Sequence, residues 1–384
     1  MANLGSQKSR VEEALQASLQ ESVDAGVPGI VAAISSSKGL LWSSSAGYAD
    51  IETPKDIDTN HVFGIGSITK VFVAVVIFQL IEEKKLTLST KLGDILTPEI
   101  FDGIANAADA TINILLNHTS GVESWEDDPV WRAEGRGRDL DPARIWGKTD
   151  TLQYIRRPNP SGPKAGEWDY SNTGYTLLGL VIEKLTGNTA ESEIRGRILE
   201  PLGMRSTYFE GFEEPGEGPV TSRYHWATET FIKEAGICPA FTRPRGYLIN
   251  ASASNLSVEW TAGGIISSAS DLLKFIIGLR DGRLVSAFSL EVMKTWRLVE
   301  GGTEQGHGVF RWPSPKGYGS WIGHHGGVLG FTASLWWKEE GDVAVCLLSN
   351  VGTMHCGNVP SSSGAVFSKS DFLKLAIEMS ERGR

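Results

Sequence analysis

The chain contains 384 residues, of which 41% are hydrophobic and 21% charged, and its formal net charge is -10. This size and balance are typical of a globular protein with a substantial core, built as one large domain or two closely packed ones. The acidic charge argues against nucleic acid and anionic membrane surfaces, so we expect neither as a partner. The longest apolar run, residues 71–78, is far too short to span a bilayer.

Cysteine usage indicates a reducing environment. Cys238, Cys346 and Cys356 leave an odd number, and their spacing is not that of metal ligands. Residues 1–8 lead into a polar helical pattern without the apolar segment of a secretory signal. We therefore predict a cytoplasmic protein with no metal and no other cofactor.

In chain order, the first predicted elements are a helix, a β-hairpin and a second, buried helix. Residues 10–25 have an amphipathic helical pattern, and 29–37 and 40–48 are β-rich runs around a turn. The segment 71–81 follows a Gly-rich turn and is apolar nearly all round. That pattern is typical of a helix that is buried on every side.

The rest of the chain is predicted to be helical in its middle and β-rich towards its end. Helices are predicted at 111–116, 176–185, 192–199, 270–280 and 369–381, irregular loops at 124–146 and 210–257, and strands at 324–337 and 342–350. Ser270 or Asp271 is expected to cap the helix 270–280.

Strands at both ends of the chain, with helices between them, predict an α/β (α+β) fold. We expect a discontinuous antiparallel-sheet domain, 1–85 and 262–384, and a mostly helical domain, 86–261. A ligand site is expected where the two domains meet, because such junctions are preferred sites.

A serine and a lysine lie at the start of the buried helix. Ser67 and Lys70 are three residues apart, so they share a helix face and the amine can reach the hydroxyl. The same S-x-x-K spacing at 35–38 falls in a turn, and that at 161–164 contains a proline and precedes no helix. A buried lysine loses part of its charge and can then accept a proton, which makes Ser67 a candidate nucleophile.

A second group of candidates precedes the predicted helix 176–185. Y-x-N occurs once in the chain, at Tyr170 and Asn172. A tyrosine close to Lys70 is a candidate base if it is held as phenolate, and Asn172 is a candidate to orient Lys70 and to bind a substrate amide. The alternative is a tyrosine that only packs at the start of a helix.

The third group lies at the start of a predicted strand. His324, His325, Gly326 and Gly327 combine imidazoles with glycines that allow another backbone to approach closely. A free N–H at Gly327 would complete an oxyanion hole with the N–H of Ser67. The H-x-G string alone does not choose between the two histidines.

The order Ser67-x-x-Lys70, Tyr170-x-Asn172, His324-x-Gly326 resembles the serine β-lactamase and penicillin-binding-protein superfamily. It is most similar to the class C-like branch, which includes DD-carboxypeptidases, D-amino-acid amidases and family VIII carboxylesterases. Segments 115–121 and 262–271 also look like that branch. The resemblance implies a β-lactamase/transpeptidase-like fold, with the active site at the domain junction and acyl-enzyme chemistry on Ser67.

The resemblance also assigns roles to the candidate residues. It implies attack by Ser67, proton transfer by Tyr170 with Lys70, and assistance from His324, which the spacing to residues 330–331 selects over His325. β-Lactamases of this branch have Lys where this chain has His324, so we expect inefficient β-lactam hydrolysis. We predict that the residues contacting substrate are Asn172, His325, Gly326, Trp168 and Trp260.

The favoured function is hydrolysis of a small ester or of a D-configured amide. The alternatives are an acyltransferase or peptide cyclase on the same scaffold, and a catalytically silent sensor. The oligomeric state is left open. Tryptophans in the long loops are expected either to line an acyl or leaving-group pocket or to pack in the core; they are Trp125, Trp131, Trp146 and Trp226.

Overall fold

The computed structural model describes residues 2–157, 159, 161–314, 316–360 and 370–382. Its strands, numbered in chain order, are β1 Gly29–Ser36, β2 Gly39–Asp50, β3 Lys55–Asp56, β4 Phe63–Gly64, β5 Tyr208–Phe209, β6 Tyr224–Trp226, β7 Thr242–Arg245, β8 Leu248–Asn250, β9 Ile265–Ser267, β10 Arg297–Leu298, β11 Glu304–Gln305, β12 Phe310–Pro313, β13 Ser320–Val328, β14 Phe331–Lys338, β15 Ala344–Ser349 and β16 Val351–Gly352.

The α-helices are α1 Ala2–Asp24, α2 Thr69–Glu82, α3 Pro98–Phe101, α4 Ile112–Leu116, α5 Pro129–Trp131, α6 Asn172–Thr186, α7 Ala190–Ile194, α8 Glu200–Leu202, α9 Glu229–Glu234, α10 Trp260–Gly263, α11 Ala269–Arg280, α12 Ala287–Met293 and α13 Phe372–Arg382. Short 3-10 turns lie at Gly66–Ile68, Leu92–Asp94, Trp125–Asp127, Asp150–Ile155 and Glu300–Gly302. Wider π-helical turns lie at Arg132–Arg136 and Arg195–Leu199.

One antiparallel sheet joins strands from early and late in the sequence. Within the described residues it has nine strands, in the order β10-β11-β12-β13-β14-β15-β1-β2-β3. β1 lies inside the sheet, where Ile34 is opposite Val345 of β15 and Trp42 of β2. The predicted antiparallel sheet flanked by helices is confirmed, whereas the domain boundaries stay a prediction.

Helices cover both faces of this sheet. Successive side chains of β1 point to opposite faces, so Val31 and Ala33 share an apolar cluster with α2 and α11. Ile30 and Ile34 share a second cluster with α1 and α13. Residues 69–78 of α2 are all buried, and each buried Val, Ile or Phe contributes about 1.5–3 kcal/mol. The nucleophile candidate, Ser67, therefore lies just before a helix that is buried along most of its length.

Two local predictions are wrong. The segment 210–257, predicted as irregular, contains β6, β7 and β8, which form a sheet with β16. These strands are two to four residues long, too short to show a periodic pattern in the sequence. The cap of α11 is Ser268, whose side chain accepts a hydrogen bond from the Asp271 N–H at 3.2 Å, rather than Ser270 or Asp271.

The last predicted helix, 369–381, corresponds to α13; residue 369 lies outside the described residues. Among the helices that the structure describes, none combines the length and hydropathy needed to cross a bilayer.

Candidate active site

Ser67 lies in a tight turn between a short strand and a buried helix. β4 ends at Gly64, the 3-10 turn covers Gly66–Ile68, and α2 begins directly afterwards. Gly66 has a φ of +53°, in the left-handed region that glycine adopts without a Cβ penalty. Ser67 is partly exposed, whereas residues 61–66 and 68–78 are buried. The turn thus presents one hydroxyl from an otherwise buried segment.

Lys70 is fully buried beside this hydroxyl. Its Nζ lies 3.0 Å from Ser67 Oγ, 2.7 Å from Asn172 Oδ1 and 2.6 Å from the Ala262 carbonyl oxygen. Burial lowers the pKa of Lys70 to about 7, even though the carboxylates of Glu259 and Glu126 act to raise it. A substantial fraction of Lys70 is therefore neutral near pH 7.

The three contacts of Lys70 fix the direction of its lone pair. A neutral amine has two N–H donors and one lone pair. The Asn172 Oδ1 and the Ala262 carbonyl oxygen can only accept, so they take the two N–H groups. The lone pair is then left for the Ser67 hydroxyl, which is the geometry that general-base activation of a serine requires.

Asn172 is held by the start of α6. The side chain of Ser171 caps this helix by accepting from the Gly174 N–H at 3.2 Å. The Asn172 amide nitrogen donates to the carboxylate of Glu126 while its oxygen accepts from Lys70. The orientation of the amide is thereby defined at both ends.

Tyr170 lies on the other side of Ser67. Its ring stacks on His118, with centroids 4.2 Å apart, and Lys70 Nζ lies 5.0 Å from its centroid. Burial raises the pKa of the Tyr170 hydroxyl; Ser67 acts in the opposite direction, although the two hydroxyls do not form a full hydrogen bond. The structure therefore favours a neutral phenol, in contrast to the phenolate considered from the sequence, because a buried phenolate would be poorly solvated.

A buried ionic cluster lies behind Asn172. Arg136 donates from Nη1 to Glu126 Oε1 at 2.5 Å and from Nη2 to Glu259 Oε1 at 2.8 Å. Burial acts to raise the pKa of Glu126, but Arg136 outweighs it and the pKa falls below its usual value. Burial and the charge of Glu126 leave the pKa of Glu259 raised despite Arg136.

His324 and His325 lie on β13 and point to opposite sides of the sheet. His324 is buried, with the Phe310 ring 4.9 Å away, and burial lowers its pKa to about 3. Its Nδ1 contacts the His325 carbonyl oxygen. His325 is exposed and lies 2.6 Å from Ser334 Oγ through its Nδ1. His324 is therefore a neutral imidazole near pH 7.

The backbone of β13 lies directly against the Ser67 turn. A Cβ added to Gly66 would lie 2.6 Å from the Gly327 nitrogen. A Cβ added to Gly326 would lie 1.9 Å from the Ile65 carbonyl oxygen and 3.2 Å from the Ser67 nitrogen. Only glycine at residue 326 permits this approach, which packs the backbone of β13 around Gly327 against the turn that carries Ser67.

These groups surround a cavity of about 580 Å³. Its polar lining includes Ser67, Tyr170, Asn172, Glu126 and Glu259. The lining also includes aromatic and apolar side chains and part of β13, namely Phe310, Trp312, Trp336, Met354, His324, His325, Gly326 and Gly327. Ser67 therefore lies in a cavity that has both carboxylate and aromatic groups in its lining.

The predicted tryptophan contacts are not found in this cavity. Trp168 and Trp260 are not among its lining residues. Trp260 is buried, and its indole nitrogen donates to Glu191 Oε1 at 2.5 Å, which explains its position by packing. The loop tryptophans belong to apolar clusters of the core, in agreement with the packing alternative; they are Trp125, Trp131, Trp146 and Trp226.

Comparison with known proteins identifies the family. The family model described as Beta-lactamase matches residues 9–355, which is most of the sequence. This chain belongs to the beta-lactamase family. The resemblance expected from the three motifs is thereby confirmed.

The individual relatives of this beta-lactamase-family chain include a penicillin-binding protein, an esterase and an amidohydrolase. The putative penicillin-binding protein PbpX of Bacillus subtilis (strain 168) is 27% identical over 81% of this chain and 68% of its own length. Esterase EstB of Burkholderia gladioli is 29% identical over 47% of each protein. The crystal structure of a D-stereospecific amidohydrolase from Streptomyces sp. superposes with a TM-score of 0.77 at 25% identity, covering 97% of this chain and 99% of that one.

The beta-lactamase/transpeptidase-like fold predicted from the sequence is confirmed by these structures, and the chain is a serine hydrolase of this family. In the part of the chain that the structure describes, no cluster of His, Cys, Asp or Glu has the geometry of a metal site.

Sequence reasoning missed the ionic cluster of this beta-lactamase-family enzyme. Glu126 and Arg136 lie in the segment 124–146, which was predicted as an irregular loop, whereas Glu259 follows the predicted loop 210–257. Charged residues in loops are usually solvated, so no local pattern distinguished them. The sequence held one indication of the cluster: Glu126 and Arg136 both belong to the irregular segment that follows the predicted helix 111–116.

Proposed function

We propose that this enzyme hydrolyses small esters or D-configured amides through an acyl-enzyme on Ser67. The observation that carries the proposal is the position of Lys70 Nζ, fully buried and 3.0 Å from Ser67 Oγ. Its lowered pKa supplies a neutral amine near pH 7. The names of EstB and of the Streptomyces amidohydrolase support an ester or a D-amide as the substrate class.

In the proposed reaction, Lys70 accepts the proton of Ser67 while Oγ attacks the substrate carbonyl carbon. The resulting oxyanion is bound by the N–H groups of Ser67 and Gly327. Tyr170, as a neutral phenol, relays the proton to the departing alkoxide or amine when the acyl–oxygen or acyl–nitrogen bond breaks. Water then attacks the acyl-enzyme, gives up its proton to the same groups and releases the acid, which restores the Ser67 hydroxyl.

The charges around the cavity support a neutral or cationic substrate. Among the described residues that line the cavity there is no Lys or Arg, whereas Glu126 and Glu259 belong to its wall. His324 is neutral because burial lowers its pKa to about 3. A β-lactam or peptide carboxylate would find no cation here, so we propose that anionic substrates are poor ones.

The test is a substrate panel with a matched active-site variant. Wild type and Ser67→Ala should be assayed on short- and long-chain p-nitrophenyl esters, D- and L-alanine amides and a chromogenic cephalosporin. We expect turnover of a neutral ester or D-amide that disappears in Ser67→Ala, with cephalosporin turnover at least about a hundredfold weaker.

Labelling and product analysis separate the alternatives. A fluorophosphonate should label wild type and leave Ser67→Ala unlabelled; the absence of both labelling and turnover would favour a silent sensor. Products formed with an added alcohol or amine acceptor test acyl transfer, which is ruled out if free acid is the sole product at every acceptor concentration. A cytoplasmic location stays a prediction, supported by the free, buried state of Cys238, Cys346 and Cys356.

A further inference from the structure

Arg136 is a buried cation that the proposed reaction does not use directly. It belongs to the π-helical turn Arg132–Arg136, and its side chain is 1% exposed. Turns of this kind occur frequently at functional sites. A buried ionic cluster is not by itself a gain in stability, because desolvation costs about as much as the pairing returns. The cluster of Arg136, Glu126 and Glu259 therefore calls for an explanation beyond packing.

We propose that Arg136 is a positioning residue for the acylation of Ser67. Its guanidinium keeps Glu126 as a pure hydrogen-bond acceptor, and this acceptor fixes the orientation of the Asn172 amide. The fixed amide in turn directs the lone pair of Lys70 towards Ser67. The inference rests on the hydrolase function proposed above and extends it to a residue outside the cavity.

The first step in this relay is the state of Glu126. Arg136 Nη1 donates to Glu126 Oε1 at 2.5 Å, and the other carboxylate oxygen accepts from Asn172 Nδ2. An ionised carboxylate only accepts, so it can face only the NH₂ end of the amide. If Glu126 were protonated, its O–H could donate and the amide of Asn172 could turn over.

The second step is the effect of that turn on Lys70. With the observed orientation, Asn172 Oδ1 accepts an N–H of Lys70 at 2.7 Å. A reversed amide would place an NH₂ donor there, and the lone pair of a neutral Lys70 would be drawn to Asn172 instead of Ser67. The base would then be present and neutral but misdirected.

The third step concerns charge. The titratable groups that face Lys70 are Glu259, Glu126, Tyr170, Tyr175, His118 and His324. Both histidines are neutral near pH 7, since burial lowers the pKa of each. Without Arg136, the fraction of Glu126 and Glu259 that stays ionised would have the Lys70 ammonium as its neighbouring cation. The carboxylates would then hold the proton on Lys70 and delay its conversion to a base.

Arg136 also contacts His355, which directly follows two cavity-lining residues in the sequence. Its Nη1 donates to His355 Nε2 at 3.0 Å, and burial lowers the pKa of His355 to about 3, so this imidazole accepts. His355 follows Thr353 and Met354, which line the cavity. Arg136 therefore also has a structural contact, which does not depend on the charge of Lys70.

The experiment is the pH profile of kcat/KM for a p-nitrophenyl ester in wild type, Arg136→Met, Arg136→Lys and Arg132→Met. Arg132 is the matched control, because it lies in the same turn and pairs with Glu234 at 3.2 Å and Asp127 at 3.4 Å instead of with the cluster carboxylates. In Arg136→Met we expect the midpoint on the acid side of the kcat/KM profile to shift to higher pH by about one unit or more. Activity near pH 7 should fall at least about fivefold and recover to within about threefold near pH 9.5.

The control variants should keep the wild-type midpoint, Arg136→Lys because it retains the charge and Arg132→Met because it removes only a bond to the backbone carbonyl of Glu126, at 3.1 Å, and leaves the side chains of the cluster paired. An equal loss at every pH in Arg136→Met, or the same upward shift in Arg136→Lys, would overturn the inference and leave only a structural role. If Arg136→Met does not fold, Glu259→Gln decides: removal of one negative charge facing Lys70 should lower the acid midpoint, and an unchanged midpoint contradicts the proposal.

Failure of this inference is distinguishable from failure of the proposed function. Absence of Ser67-dependent turnover and of fluorophosphonate labelling in wild type refutes the hydrolase function itself. Ser67-dependent turnover with an unshifted profile in Arg136→Met refutes only the positioning role.

Discussion

The closest backbone approach in the site gives the sharpest prediction, for Gly326→Ala. The new Cβ would lie 1.9 Å from the Ile65 carbonyl oxygen. Ordinary carbon–oxygen contacts are about 3.4 Å, so β13 and the Ser67 turn must separate by about 1.5 Å. A hydrogen bond of about 2.9 Å stretched by that amount is lost. One oxyanion donor is then missing, which costs about 3 kcal/mol, or a factor of about 10²–10³ in kcat.

The matched control is the neighbouring substitution Gly327→Ala. Its Cβ would meet the sulfur of Met354 at 2.9 Å, and this flexible side chain can rotate away. The backbone N–H of residue 327 is retained. We expect kcat for a p-nitrophenyl ester to stay within about tenfold of wild type in Gly327→Ala.

Thermal unfolding should accompany the kinetics. Overpacking of Gly326→Ala is expected to cost about 1–3 kcal/mol of unfolding free energy, which this large core tolerates. A folded Gly326→Ala enzyme with kcat within about tenfold of wild type would refute the argument that the two backbones must touch to form the oxyanion hole.

Two further predictions follow from buried groups. For wild type, kcat/KM for ester hydrolysis should rise with pH through about 7, because Lys70 accepts a proton only in its neutral form and its pKa is about 7. A profile that is flat from about pH 5.5 to about pH 9 would exclude Lys70 as the base. Trp260→Phe should lower the unfolding free energy by about 1–3 kcal/mol, because Glu191 loses its indole donor. The same variant should have a KM within about twofold of the wild-type value. A larger increase in KM would support the predicted contact between Trp260 and the substrate.

The serine-hydrolase chemistry could be predicted from the sequence because the residues around Ser67 and Lys70 distinguish this S-x-x-K string from the other two. Ser67 and Lys70 open a segment that is apolar on all sides, and an apolar helix of that kind has to be buried. The structure brings Tyr170, Asn172 and His324 to the same cavity, although their roles remain proposals. The central strands were predictable for a similar reason, since β1 and β15 are apolar runs bounded by turn residues.

Other features could not be predicted because no local pattern encodes them. The Arg136 cluster depends on three segments meeting in space, and the pKa of the Tyr170 hydroxyl is raised by burial that only folding creates. The contact of Trp260 with substrate stays a prediction. The hydrogen bond from its indole to a carboxylate in α7 was not predicted, because only the tertiary structure brings these two residues together.

The sheet order has a consequence for the timing of synthesis. The Ser67 turn and α2 are translated early, whereas β13, which supplies Gly327, is among the last strands to be made. β1 pairs with β2 on one edge, and its other edge stays unpaired until β15 has been made. Pairings between such distant segments form slowly, since a long intervening loop must close first. A nascent chain therefore contains Ser67 and Lys70 before Gly327 is made, so the proposed oxyanion hole cannot form until most of the chain has been synthesised.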